Sequence, residues 1–241
     1  MKKRGSHIGV VLSFIIFVIF LAFLYSTLEP LIKVEKGPEF MLEYLEAALI
    51  EKLNTNLTTL TVTISESINQ DCVVLDGLIE DVSGLNSKII VKDYSKNIIP
   101  SYILQGSSND LIVDRDSSGD TFLKIYGSEE FESLSEEPIG DCQLLDLTNY
   151  KIALLKSSEY VSKTKAEELK DSYPEEYENL KVELNIPEAS DFGFGFEYND
   201  GTIIETESKN VSRSVYVQEV PIRYLDSEAN ILSGAIKIKI W

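Results

Sequence analysis

Residues 38–64 read Pro38-Glu-Phe-Met-Leu-Glu-Tyr-Leu-Glu-Ala-Ala-Leu-Ile-Glu-Lys-Leu53-Asn-Thr-Asn56-Leu-Thr-Thr-Leu-Thr-Val-Thr-Ile64, and within them the spacing of apolar residues changes. Up to Leu53, Phe40, Met41, Tyr44, Leu45, Ala48, Leu49 and Leu53 recur three and four apart, the mark of a helix with one apolar face. Proline at the start and Asn54 at the end suit its boundaries. From Asn56 onward the period changes to two, the mark of a strand with one face buried. The chain is therefore expected to be α+β.

Downstream, the same alternation predicts strands over 57–64, 72–75, 88–91, 98–104, 110–113, 121–126 and 143–155. Residues 111–125 read as a hairpin turning at Ser117-Ser118-Gly119-Asp120. A helical interlude over 164–184 follows, with Thr164 and Glu167 as a capping box and Pro174 opening a second helix. Strands return over 192–198, 202–205, 214–225 and 232–241. In the last, Ile236, Ile238 and Ile240 alternate with Lys237 and Lys239. The expected body, residues 55–241, is an antiparallel, sandwich-like domain with a small helical insertion.

Upstream, no Asp, Glu, Lys or Arg occurs between Gly5 and Leu28, and the centre is aliphatic and aromatic on every side. A helix of that length spans about 36 Å, more than the roughly 30 Å of a bilayer core. We expect a transmembrane helix over 6–28, with 1–5 as a basic cytoplasmic flank and 29–54 as a stalk kinked at Pro30 and at Gly37-Pro38. A cleaved secretory signal is the competing reading. Its apolar region would be shorter and would end in small residues, whereas here it runs Phe23-Leu24-Tyr25-Ser26. Lys2, Lys3 and Arg4 place the N-terminus in the cytoplasm and the body outside the cell.

Lys2-Lys3-Arg4-Gly5 followed at once by the aliphatic helix resembles the class III signal of type IV pilin-like surface proteins, the archaeal ones in particular. The resemblance covers about the first 30 residues. It implies cleavage between Gly5 and Ser6, retention of the helix on the mature chain, and packing against other pilin-like subunits through residues such as Phe14, Phe17 and Val18. One departure stands out: bacterial members carry Glu as the fifth mature residue, and here it is Val10. That departure points to a minor or capping subunit rather than a major one. The interlude and the segment 184–196 also resemble archaeal pilin-like surface proteins, but that likeness names no activity.

The chain carries 22 basic and 40 acidic side chains, a net charge of −18, and without Lys2, Lys3 and Arg4 the balance is −21. Such a surface repels phosphate backbones, so nucleic acid is disfavoured as a partner, and cations are favoured. Cys72 and Cys142, the only cysteines, are expected to form a disulfide outside the cell, two buried thiols being the alternative.

Asp114, Asp116, Ser118 and Asp120 space oxygen ligands two apart, a weak calcium candidate that lacks the acidic twelfth position of an EF-hand, occupied here by Ile125. Otherwise no cofactor is expected. Asn56-Leu57-Thr58 and Asn210-Val211-Ser212 are glycosylation triplets. Phe192, Phe194 and Phe196 alternate with Gly193 and Gly195, a pattern that suits a core strand and also a surface open to a ligand.

The only histidine, His7, adjoins the membrane helix, and no nucleophile–base motif occurs, so an enzyme is not expected. The reading is a structural surface protein of pilin-like class, a minor filament component or scaffold. The alternatives are a single-pass module binding a cation, glycan or protein, and, more remotely, a glycan-cleaving enzyme using paired carboxylates.

Overall fold

A computed structural model describes residues 7–32, 38–65, 70–115, 121–206 and 214–241. The chain divides into two compact units, Met1–Met41 and Leu42–Trp241.

In the first unit, α1 (His7–Ile32) is 26 residues long. Its span Gly9–Thr27 has a mean hydropathy of 2.6 and none of it is buried. The helix is thus long and apolar enough to cross a bilayer, as expected. The Thr27 hydroxyl donates to Phe23 O at 2.9 Å, so its polar group is met inside the helix. The expected break at Pro30 does not occur. The helix continues to Ile32, because a proline close to a helix end removes only one ladder bond before the helix stops.

In the second unit, α2 (Pro38–Leu53), which begins in the first, buries Leu42, Leu45, Leu49 and Leu53. The apolar stripe is therefore rotated from the expected one, since Tyr44 is exposed and its hydroxyl accepts from Asn185 Nδ2 at 3.0 Å. Leu53 is followed without a loop by β1 (Asn54–Ile64).

Strand β1 pairs with β10 (Tyr150–Ser162) on one side and β7 (Phe122–Gly127) on the other, both antiparallel. It lies within a nine-stranded sheet ordered β12-β11-β14-β13-β10-β1-β7-β3-β4, where β3 is Ile89–Lys92, β4 Ile98–Ile99, β11 Phe192–Glu197, β12 Ile203–Glu205, β13 Tyr216–Leu225 and β14 Ile231–Ile240. A second sheet is ordered β8-β5-β6-β2-β9, with β2 Cys72–Leu75, β5 Ser101–Leu104, β6 Leu111–Asp114, β8 Glu136–Glu137 and β9 Gln143–Leu145.

The two sheets enclose one core, in which Leu60, Val62, Leu123 and Ile125 of the large sheet meet Val73, Leu75, Leu111 and Val113 of the small one. A short helix α3 (Leu78–Asp81) adds Leu78 and Ile79. Behind β1, β3 and β7, Leu57, Phe131, Leu225 and Ala229 form a second cluster together with Ile90 and Tyr126. There Lys92 donates to Asn230 Oδ1 at 2.9 Å, fastening β3 to the turn between β13 and β14.

The other half of the large sheet is covered by a helix instead of a sheet. Phe192, Phe194 and Phe196 of β11 lie opposite Ile240, Ile238 and Ile236 of β14, all buried. Helix α4 (Lys163–Glu183) sets Tyr173 and Tyr177 against Phe192, with ring centroids 5.6 Å apart in each case. Cross-strand aromatic and β-branched pairs of this kind stabilise a sheet, as does the edge-to-face packing of rings.

Several expectations are corrected here. The interlude is one helix, with Pro174 inside it, because Tyr173 and Tyr177 on either side of the proline dock on the same core and hold the two parts in line. Residues 111–125 are not a hairpin: β6 and β7 belong to different sheets, and the expected turn at 117–120 lies outside the described residues. Pro100, lacking a backbone donor, divides the expected strand over 98–104 into β4 of the large sheet and β5 of the small one. The expected strand over 143–155 is likewise two, β9 and β10, separated by a turn in which Asp146 Oδ1 accepts from Thr148 N at 2.9 Å. Three pairings, β2·β9, β5·β8 and β10·β13, are parallel, so the body is not wholly antiparallel.

Candidate functional site

Cys72 at the start of β2 and Cys142 just before β9 are joined, with Cα atoms 4.6 Å apart. The next residues begin the parallel ladder Val73↔Gln143. A three-residue edge strand reached after 70 residues of chain is thereby stapled to its neighbour, and no free cysteine remains.

Of the calcium candidates, Asp114 closes β6, opposite Cys72, while Asp116, Ser118 and Asp120 lie outside the described residues. Among the described residues no group of three His, Cys, Asp or Glu side chains could hold a metal. The cleavage pair Gly5 and Ser6, and Asn210, also lie outside them. Asn56 is exposed on β1 opposite Glu159 of β10, while Leu57 and Thr58 of its triplet are buried.

The glycine face of β11 does not open to a ligand. A Cβ on Gly193 would meet Thr206 Oγ1 at 3.0 Å and the Trp241 ring at 3.4 Å. One on Gly195 would meet the Ile204 carbonyl at 3.0 Å. The small residues make room for β12 and the C-terminal tryptophan, the close backbone approach that glycine permits.

Burial dominates the electrostatics of the helix-covered half. The Tyr173, Tyr177 and Tyr198 phenols are all pushed well above their ordinary range, in each case chiefly by desolvation. Tyr177 donates to Asp191 Oδ1 at 2.5 Å, and Tyr173 donates to the Phe192 carbonyl. Desolvation also lowers the Lys92 ammonium, opposed by the charges of Asp226 and Glu228. These shifts sit in packed structure with the hydrogen bonds of a core.

Within the second unit, strand β10 is exposed from Lys151 to Ser157. It is paired with β1 from Tyr150 to Val161, with a register shift at Ala153, yet with β13 only at Val161↔Tyr224 and Ser162↔Leu225. From there the two parallel strands part. Ile222, Arg223, Lys156, Ser158 and Glu159 line a cleft of about 480 Å³ where they separate. Beyond it Leu154 is 59% exposed and Leu155 51%, and across the gap Val217 is 57% exposed. The sequence pattern marks 143–155 as a strand without saying which of its edges is paired. The one local sign of an open edge is the Lys151 and Lys156 pair bracketing Ile152-Ala153-Leu154-Leu155.

No protein-family model, curated protein or solved structure matches this chain.

Proposed function

We propose that this chain is a membrane-anchored, outward-facing structural surface protein of type IV pilin-like class, acting as a minor filament component or scaffold, without catalytic activity. The observation that carries the reading is α1: a 26-residue helix whose span Gly9–Thr27 is apolar and unburied, in a different compact unit from the disulfide-stapled β-rich body. An apolar helix of this kind is as well satisfied by lipid as by a bundle of like helices, which suits a subunit that leaves the membrane for a filament. The basic residues Lys2, Lys3 and Arg4 before it support an outward-facing body, and the disulfide fits an oxidising exterior.

Mass spectrometry of the mature N-terminus in the native cell tests the proposal. A chain beginning at Ser6 is the expected result. One beginning near Ser26 or later indicates a secreted protein, and an intact start leaves a plain anchor. Shearing cells and probing the released fraction for the body tests assembly, and its absence from sheared filaments defeats the filament role. The second reading, an anchored binding module, is favoured by the open edge of β10.

A further inference from the structure

Lys92 occupies a place suited to an apolar side chain. It follows Ile90 by two on β3, so both stand on the face behind which Leu57, Leu225 and Ala229 cluster, and only 4% of it is exposed. Among the described residues its hydrogen-bond acceptors are both neutral: Asn230 Oδ1 at 2.9 Å and the Ala229 carbonyl at 3.4 Å. The centre of the Tyr126 ring lies 5.8 Å from Nζ. A buried ammonium is costly, and a carboxylate is its usual partner.

Asp226 is close by, yet it is turned to the asparagine. Its Oδ1 accepts from Glu228 N at 3.0 Å and from Asn230 N at 2.8 Å, which shapes the turn between β13 and β14. Its Oδ2 accepts from Asn230 Nδ2 at 3.0 Å. The Asn230 carboxamide is thus held at both ends, oxygen to amine and nitrogen to carboxylate. Nucleophile, acyl carbon and base stand in the order that acyl transfer requires.

We propose that Lys92 and Asn230 react with each other to form an isopeptide bond, which ties β3 to the turn between β13 and β14. The ammonium first gives a proton to solvent, a step favoured by the burial that lowers its pKa. The amine then adds to Asn230 Cγ, one bond beyond the oxygen to which Nζ donates. In the adduct both nitrogens sit on one carbon, so Asp226 Oδ2, already at Nδ2, takes the proton that Nζ sheds and passes it to Nδ2. The Nζ–Cγ bond stays, the Cγ–Nδ2 bond breaks, and Nδ2 leaves as ammonia. Nothing is oxidised or reduced. The charge that was costly to bury departs, since ammonia takes up a proton in water. Each molecule reacts once, so the step matures the fold and is not turnover.

The two residues are 138 apart in the chain, and in the large sheet β7, β1 and β10 lie between their strands. The bond therefore clamps the sheet across the join of β10 and β13, which holds by only two residue pairs. The inference stands whether or not the chain assembles into filaments.

Peptide mapping of the folded full chain by mass spectrometry, after reduction of the disulfide, tests it. The expected result is one branched peptide containing Lys92 and Asn230, uncut by trypsin at Lys92, with the mass of the two separate peptides less one ammonia. Two unmodified peptides overturn the proposal. Loss of ammonia from the Asn230 peptide alone, with Lys92 free, is cyclisation of the asparagine onto its own backbone and overturns it as well. Asn230→Ala should abolish the branched peptide. Asp226→Asn keeps an oxygen for the turn and should slow the appearance of the branched peptide in freshly made chain by roughly a hundredfold or more. An unchanged rate in that variant, with Cys72 and Cys142 still joined as a sign of folding, overturns the proton transfer assigned to Asp226. The map of the unsubstituted chain decides whether the bond exists, so a variant that misfolds does not rescue the proposal.

Discussion

The carboxylate of Glu130 accepts the hydroxyl of Ser162, 32 residues further along the chain, at the start of α4. The same carboxylate takes Thr164 N at 2.9 Å and Thr164 Oγ1 at 2.8 Å, while Ser162 Oγ accepts from Lys165 N at 2.9 Å. A helix N-terminus is thus closed by a carboxylate delivered from the loop after β7, where both the free amides and the helix dipole favour negative charge. Glu130→Ala should destabilise the body by about 2–3 kcal/mol, since it leaves buried donors unmet, and Glu130→Gln by less. Urea unfolding of the two variants measures the difference, and equal losses would contradict the role of the charge.

The Cys72–Cys142 bond should contribute about 4 kcal/mol through loop closure. Replacing both cysteines by serine is expected to lower the urea midpoint and to steepen the slope, because the unfolded chain without its 70-residue loop exposes more surface. Non-reducing peptide mapping should recover the two cysteine peptides joined, and ready alkylation of the folded, unreduced chain would contradict the bond.

The glycines of the large sheet should differ in their tolerance of alanine. A Cβ on Gly234 would collide with the Glu197 carbonyl, a backbone atom that cannot yield without parting β11 from β14. Gly193 faces a hydroxyl and the rim of an indole, which can shift. Gly234→Ala is expected to cost about 3 kcal/mol and Gly193→Ala about 1 kcal/mol, the order being read from thermal midpoints.

Alkaline pH should unfold the body through its buried phenols. Burial, aided by Asp81 and Asp76, pushes Tyr150 up to about 12, while its hydroxyl donates to Asp76 O at 2.8 Å. Because the folded pKa is raised above the unfolded value of about 10, the folded state keeps its proton longer. Its contribution is whole below about pH 10 and is lost as pH rises toward 12. Tyrosinate absorbance should therefore rise in two stages, the exposed phenols first and Tyr150, Tyr173, Tyr177 and Tyr198 only with unfolding. Tyr150→Phe should flatten the fall in stability over that window.

Periodicity in the sequence sufficed for elements whose burial is one-sided. Ile236, Ile238 and Ile240 face inward with Lys237 outward on Glu197 at 2.6 Å, as alternation alone requires. Pairing was not legible to the same degree. Residues 111–113 and 122–126 look like two arms of a hairpin, yet Leu111 and Leu123 belong to facing sheets, because a period of two tells which side of a strand is apolar and not which strand lies beside it. The parting of β10 from β13 was hidden for a related reason: Ile152 and Leu154 are apolar like a core strand, and only the missing partner across from them reveals an exposed edge. Glu130 carries no local mark at all, since its partners come from a helix that begins 33 residues later.

The direct passage from Leu53 of α2 into Asn54 of β1 sets how this body bears mechanical load. No slack loop separates the two, so tension arriving along α2 enters the strand that is laddered on both sides, to β10 over Asn54–Ile64 and to β7 over Thr58–Thr63. Pulled along its own axis, β1 can leave only by shearing both ladders together, not by unzipping one bond at a time. At the other end, Trp241 is clasped by two backbone bonds to Asp191, of 2.9 and 3.0 Å, so the last strand is pinned where it finishes. Held in this way at both ends, the body should resist a steady pull better than its thermodynamic stability alone would indicate.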